Sequence, residues 1–385
     1  VKYYENKGHE EFSKMKIRIV TYHKVINRGA LLQAYGLQLN FKTLFPDSDV
    51  KIIDKLPLSF SVYELLRAIP QNRGGLQKWR RYKLINKDAN RTLSLEKMSL
   101  KKVSRLLSKE DILVSGSDCI WRITKKFPFP PFPNQYWLPY KTDARKISFS
   151  TSAFGTDVSL LESNKEKIHD LISDFSIVSV RDKFTKNIIN RDDATITPDP
   201  SFFVPINGDV SYPDTILSFF KKHPKPCGLQ IYHDNYPDHI KRYLVTSSDR
   251  GVLGLTNNFN TDLNVDHVIN TFQWAKIFGE LSFNVTDSFH GTIFSIRNRT
   301  PFLSIETTDC PRDKSKKFLF LSYIGLEDLY VDMKEQKNNL GVIINKKEEI
   351  LFNWKSKYLP IIERGLVRIS KDLEDFNNLI MKKLL

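Results

Sequence analysis

The strongest constraint on this chain is a recurring unit: a short apolar run with strand character, then a loop of small or polar residues, then a helical stretch. The first unit opens at Met15, where Met15-Lys16-Ile17-Arg18-Ile19-Val20-Thr21-Tyr22 alternates in β fashion. It passes into a polar loop and resumes with Leu31, Leu32, Tyr35, Leu37 and Leu39 at helical spacing. Asp49–Asp54 reads as a second strand ending on an acid, and residues 60–110 as a helical, strongly basic stretch carrying Lys78, Arg80, Arg81 and Lys83. Further strand-like runs follow at Asp111–Ser115, Lys146–Ser150 and Ser176–Val180. Alternation of this kind predicts an α/β fold with mainly parallel sheet, whose ligands bind beyond the carboxyl ends of the strands.

The pattern breaks once. In Thr197–Pro213, Pro198, Pro200, Pro205 and Pro213 surround Asn207-Gly208, the composition of a turn-rich linker. Alternation resumes at Cys227–Tyr232, Gly251–Thr256, Leu281–Thr286 and Pro301–Ile305. The expected organisation is two Rossmann-like lobes facing a cleft: an N-terminal lobe over 15–197, a linker over 198–213, a C-terminal lobe over 214–340, and helices over 341–385 packing back on both. With 385 residues the chain is long enough for two domains of ordinary size.

The balance of 59 Lys+Arg against 44 Asp+Glu leaves a formal charge of +15, so an anionic partner is expected: nucleic acid, anionic lipid, or a phosphorylated small substrate. Nucleic acid fits poorly, since no nucleic-acid motif accompanies the charge and the aromatic residues form no stacking platform. Cys119, Cys227 and Cys310 are too few and too widely spaced for a disulfide framework or a zinc cluster, which points to a reducing cytosol. Val1–Lys14 lacks the apolar core of a signal peptide, Met15 reads as a start, and no run reaches the ~18 to 20 apolar residues that span a bilayer. A cytoplasmic protein is expected, with any membrane contact peripheral.

Four segments carry candidate chemistry. Val285-Thr286-Asp287-Ser288-Phe289-His290-Gly291-Thr292 leaves a buried strand and enters a helix at Ile293–Arg297. Free N–H groups at such a junction favour an anion, Gly291 lets a ligand approach the backbone, and His290 can exchange a proton with it. The plainer alternative has Asp287 capping the helix and His290 as a turn residue; a metal pair at Asp287 and His290 lacks further ligands. In Val114-Ser115-Gly116-Ser117-Asp118-Cys119-Ile120-Trp121, Asp118 could serve as a base toward a sugar hydroxyl and Trp121 could stack on the sugar, or the segment is a capped turn with a half-buried Trp. The loop Tyr22–Tyr35 has a lone Gly29, far short of a dinucleotide fingerprint, although Asn27 and Gly29 at a helix start could hold a substrate. In Ser179-Val180-Arg181-Asp182, the Arg181 fork matches carboxylate or phosphate oxygens, with a surface pair to Asp182 as the ordinary alternative.

Taken in order, these stretches resemble the polysaccharide pyruvyl transferase family from about Lys16 to about Val331. The matching motifs are Asn-x-Gly-Ala-Leu-Leu-Gln-Ala-Tyr at Asn27–Tyr35, Gly-Ser-Asp-x-Ile-Trp at Gly116–Trp121, Lys-Ile-Ser at Lys146–Ser148 and Ser-Ala-Phe-Gly at Ser152–Gly155. Ser-Val-Arg-Asp at Ser179–Asp182, Pro-Asp-Pro-Ser at Pro198–Ser201 and Thr-Asp-Ser-Phe-His-Gly-Thr at Thr286–Thr292 complete the series. The resemblance implies a fold similar to the glycosyltransferase B type, phosphoenolpyruvate as donor co-substrate, a sugar acceptor, and no obligatory metal or other cofactor.

It carries over two roles, His290 as the catalytic residue and Arg181, in the N-terminal lobe, as the donor-binding arginine; the residue reading adds Asp118 as base, Ser288, Phe289, Gly291, Lys316 and Lys317 on the donor side, in the C-terminal lobe, and Asn27, Gly29, Ser117 and Trp121 on the acceptor side. Many members carry an arginine where this chain has Ser288, so Lys316 or Lys317 is expected to supply that charge. Cys119 and Arg122 replace frequent Gln and Asn, a difference that bears on the acceptor. The rival readings are a nucleotide-sugar glycosyltransferase of the same fold and a catalytically silent anion- or glycan-binding protein. The basic run Arg73–Arg91, with Trp79 and Tyr82, could bind a lipid-diphosphate carrier or the anionic inner face of the cell membrane, or be a solvated helical face.

Overall fold

A computed structural model of the chain describes residues 14–69, 75–232, 251–256, 261–334 and 340–384. Val1–Ser13 and the first two residues of the basic run, Arg73 and Gly74, lie outside them. The N-terminal half builds one sheet from β1 (Lys16–Val20), β2 (Asp49–Ile53), β3 (Leu95–Glu96), β4 (Ile112–Asp118), β5 (Arg145–Thr151), β6 (Phe175–Ile177), β7 (Ser179–Val180) and β8 (Thr195–Ile196). Its order is β3-β2-β1-β4-β5-β7-β8, with β6 also on β5. The second sheet uses β9 (Cys227–Gln230), β10 (Val252–Gly254), β11 (Leu263–Asn264), β12 (Phe283–Thr286), β13 (Phe302–Glu306) and β14 (Tyr330–Asp332), in the order β11-β10-β9-β12-β13-β14. Every pairing among the described strands is parallel.

This is the expected pair of Rossmann-like lobes. In each sheet the strand order reverses at one place, between β1 and β4 in the first and between β9 and β12 in the second. The chain leaves neighbouring strands in opposite directions there, which opens a crevice at the carboxyl ends. Asp118 ends β4, and His290 follows β12 by four residues. The strands that sequence reading passes over, β3, β8, β11 and β14, have two or three residues each, too short for a periodic signal.

The lobes are tied together by buried polar contacts. Arg28, at the start of the helix Arg28–Leu44, is 2% exposed; it forms an ion pair with Asp266 of the C-terminal lobe and donates to Ile269 O at 2.9 Å. Arg81 reaches the other oxygen of Asp266 at 2.7 Å. Asp88 accepts from both Thr271 N and Thr271 Oγ1 at 2.7 Å, satisfying a free donor at the start of the helix Thr271–Ile277. The helix Leu359–Leu384 buries Ile362, Gly365, Ile369, Leu373, Phe376, Ile380 and Leu384, a stripe at helical period. Its Phe376 ring packs edge-on against Phe149 of the first lobe at 5.1 Å, and its Glu363 pairs with Arg299 of the second at 2.6 Å.

The proline-rich break is not a free linker throughout. Thr197–Ser201 is buried, Asp199 to 2%, and the turn Pro200–Phe203 packs on the helix Arg28–Leu44. Prolines mark the loss of regular structure, but a loop leaving a strand end can be drawn into the crevice as readily as spun out from it.

Candidate active site

Two helix starts meet head to head across the crevice. The helix Arg28–Leu44 is capped by Asn27, whose Oδ1 accepts from Gly29 N at 2.9 Å; the helix Phe289–Arg297 is capped by Ser288, whose Oγ accepts from Gly291 N at 3.3 Å. The second helix begins four residues earlier than its apolar pattern suggests, so His290 lies in its first turn and not in a loop. Asp287 is not the cap: it accepts from Tyr232 N at 3.0 and 2.9 Å and from Thr307 Oγ1 at 3.2 Å. The positive ends of both dipoles therefore converge on His290 and Gly29, an arrangement that favours bound negative charge.

The carboxyl ends of β4 and β7 bring acids and a guanidinium to the same place. The Arg181 side chain, 6% exposed, lies 2.5 Å from Asp199 Oδ2 through Nη2, which also donates to Ser117 Oγ at 2.6 Å; its Nη1 is 3.5 Å from Asp118 Oδ1. Asp182 is not its partner. That residue caps the helix Lys183–Ile189 through Thr185 N at 2.7 Å. His290 is 3% exposed, with Nε2 3.7 Å from Asp199 Oδ2, beyond direct hydrogen-bond distance. Three buried nitrogens at this junction, Arg181 Nε, Arg181 Nη1 and His290 Nε2, have no hydrogen-bond partner.

Burial alone would push the two carboxyls up. At Asp199 the Arg181 guanidinium and His290 outweigh it and hold the pKa far below the usual carboxylate range. At Asp118 the charges of Arg181, Lys316 and His290 likewise outweigh burial and lower the pKa. Asp118 also holds φ at +79°, a region that costs a non-glycine residue on the order of 1 kcal/mol or more and is found where a site fixes the backbone.

Arg181 and Asp199 pass from this junction into the wall of a cleft of about 410 Å³, shared with Phe289, Lys316, Phe320 and Tyr323. Arg181 and Lys316 both stand over the Phe289 ring, at 5.2 and 5.4 Å from its centroid. Lys316 is the half-buried cation of the two candidate lysines. Lys317 is 4% exposed and committed to Asp287 O at 2.8 Å, Ile305 O at 2.6 Å and Glu306 at 3.3 Å, which removes it from donor binding.

The remaining expectations divide. Gly291 offers no approach to a ligand: a β-carbon there would meet Gln230 Oε1 at 2.0 Å and Thr286 Oγ1 at 2.3 Å, so its lack of a side chain serves packing inside the lobe. Trp121 is fully buried, stacked on Trp137 at 4.9 Å, with Nε1 donating to Ser115 Oγ and Tyr136 O; it is core, not a sugar platform. Ser117 is buried and spent on Ser150 O at 2.9 Å and Arg181. Gly29 lies beneath His290, leaving exposed Asn27 as the one expected acceptor residue at the surface. Asp199 is the site residue whose place sequence reasoning missed. Its signal, Pro198-Asp199-Pro200-Ser201, was present but lay in a stretch with linker composition.

Among the described residues, no three His, Cys, Asp or Glu side chains converge as metal ligands.

Comparison with solved structures assigns the architecture. S. aureus MnaA, solved with UDP, aligns at TM-score 0.51 and 11% identity over 96% of this chain and 98% of that one. The α,α-trehalose 6-phosphate synthase of Burkholderia multivorans aligns at 0.50 and 9% over 96% of each. At such identities the likeness is one of fold, and the fold is the glycosyltransferase B type. No curated protein matches the sequence. Within that architecture the chain belongs to the polysaccharide pyruvyl transferase family, whose pattern covers residues 27–309.

Proposed function

We propose that this protein transfers the enolpyruvyl group of phosphoenolpyruvate to two hydroxyls of a sugar, on a polysaccharide or its lipid-diphosphate-linked precursor, and closes it as a ketal. The observation that carries the reading is the buried Arg181 guanidinium, with two nitrogens that have no hydrogen-bond partner, beside His290 Nε2, which has none either, where two helix N-termini converge. A donor carrying about three negative charges suits that field, with Arg181 and Lys316 as its counter-charges. His290 protonates the methylene carbon, one sugar hydroxyl adds to the neighbouring carbon, phosphate leaves with its bridging oxygen, and the second hydroxyl adds to the same carbon and closes the ring, returning its proton to His290. Asp118, held ionised at neutral pH, takes the first hydroxyl's proton. Its depressed pKa keeps it a weak base, so most of the acceleration falls to electrostatic stabilisation and to the acid.

The test is release of inorganic phosphate from phosphoenolpyruvate that requires a glycan acceptor, with mass spectrometry of the acceptor for the added pyruvyl group. Turnover is expected to persist in EDTA, because the counter-charges named here are side chains. Hydrolysis or transfer from UDP-sugars in its place would overturn the proposal in favour of a glycosyltransferase; binding without turnover of either donor would reduce the site to an anion receptor.

A further inference from the structure

Two helices on the outside of the N-terminal lobe, Leu58–Ala68 and Gly75–Thr92, pack against each other, and neither takes part in the site. The first turns its apolar residues the wrong way for a soluble surface. Leu58 is 79% exposed, Val62 43%, Leu65 46%, Leu66 49% and Ile69, just past its end, 43%, a spacing that keeps to one side of a helix. Its single acid, Glu64, is 3% exposed and turned inward, where it accepts from Ile26 N at 2.7 Å. The second helix shows the complementary pattern. Arg80, Lys83, Lys87 and Arg91 are exposed, while its single acid, Asp88, is buried against Thr271. The exposed run Lys125-Lys126-Phe127 joins this surface, since the Phe127 ring meets Tyr63 of the first helix at 5.7 Å.

We infer that the outer face of this helix pair is a docking surface for an anionic lipid bilayer, with the Leu58–Ile69 stripe entering the headgroup boundary and the basic stripe resting on lipid phosphates. An apolar stripe flanked by cations, with every acid on the two helices withdrawn, is the pattern of an interfacial helix. A second copy of the chain fits less well, because a symmetric contact would set Arg80, Lys83, Lys87 and Arg91 against their own counterparts. Contact is peripheral: among the described residues no helix is long and apolar enough to cross a membrane. Phe60, on the buried side of the first helix, packs on Tyr22 at 5.0 Å, in the loop that leads to Gly29. The surface therefore adjoins the N-terminal wall of the crevice.

The inference does not rest on the donor chemistry, and its test reads no activity. The full chain is sedimented with vesicles of phosphatidylcholine alone and with vesicles containing phosphatidylglycerol. Partition onto the anionic vesicles is expected to exceed that onto neutral ones by at least tenfold, to fall at least tenfold in Leu58→Glu/Leu65→Glu, and to fall similarly in Arg80→Glu/Lys83→Glu/Lys87→Glu. An unchanged thermal midpoint in both variants, expected for substitutions at exposed positions, shows that the loss is not unfolding. Equal sedimentation with and without vesicles overturns the inference, as does full binding by the leucine variant. A dimer in light scattering that the leucine variant converts to monomer assigns the face to a second copy instead.

Discussion

The imidazole of His290 rests against the backbone of Gly29, so closely that a β-carbon on position 29 would fall 2.1 Å from its Nδ1. Each residue is the second of its helix, one in either lobe, so the contact is also one of the points at which the lobes meet. An alanine in a helix ordinarily gains about 1 kcal/mol over glycine. Here the added methyl has to displace the ring, and Gly29→Ala is expected to lower the thermal midpoint and reduce turnover more than tenfold. The double variant with His290→Ala should recover the midpoint, because the overlapping ring is gone. Melting the four proteins of that cycle checks the coupling; additive shifts would show that the two positions do not meet.

Arg181→Lys keeps the charge but loses the planar fork that spans Asp199 and Ser117 and is proposed to grip the donor. Hydrogen bonds to charged groups contribute about 1.5 to 3 kcal/mol each, so loss of one should weaken phosphoenolpyruvate binding at least tenfold. Isothermal titration measures it, and unchanged affinity would take Arg181 out of the donor site.

The sequence carries the architecture and the parts of the site that lie at strand ends. β1, β4, β5, β9, β12 and β13 are regular apolar runs; Asp118 closes β4, His290 follows β12, and Arg181 follows the short β7, all at strand ends where a doubly wound sheet gathers its ligands. What stayed illegible was the direction in which side chains turn after the strand ends. Trp121, Lys317 and Gly291 stand in chemically suggestive motifs, yet the backbone swings each into the lobe, where it is satisfied by local partners. Asp199 is the converse case. Nothing local distinguishes it from a turn residue, and its meaning comes from Arg181 and His290, brought to it from 18 residues upstream and 91 downstream by the closure of two lobes.

Asp199→Asn isolates the charge that holds this cluster together. The folded pKa of Asp199 lies below its unfolded value of about 3.9, so its contribution to stability is fully present above that pH and is lost as pH falls toward the folded pKa. The midpoint difference between the parent and Asp199→Asn should be constant from about pH 5 to pH 7 and shrink below about pH 4. Melting curves across that range test the sign; a difference that grows on acidification would mean the carboxyl is not held ionised by Arg181 and His290.

His290→Asn asks whether binding and chemistry separate. Sequence position suggests a half-exposed turn from which the ring could be cut at little cost, but the residue is 3% exposed and fills the space above Gly29, so truncation to alanine leaves a void at the meeting of the lobes. Asparagine keeps a planar polar group of smaller volume and removes the imidazole. Arg181, Lys316 and the two helix starts remain, the groups proposed to hold the donor's phosphate and carboxylate. The expected result is a thermal midpoint within a few degrees of the parent, phosphoenolpyruvate affinity within about threefold, and ketal formation reduced by roughly 10² or more, the lower range for loss of a general acid. All three are measured on one preparation. If turnover stays within about tenfold of the parent while the midpoint falls, His290 is a packing residue between the lobes and the proton comes from another group.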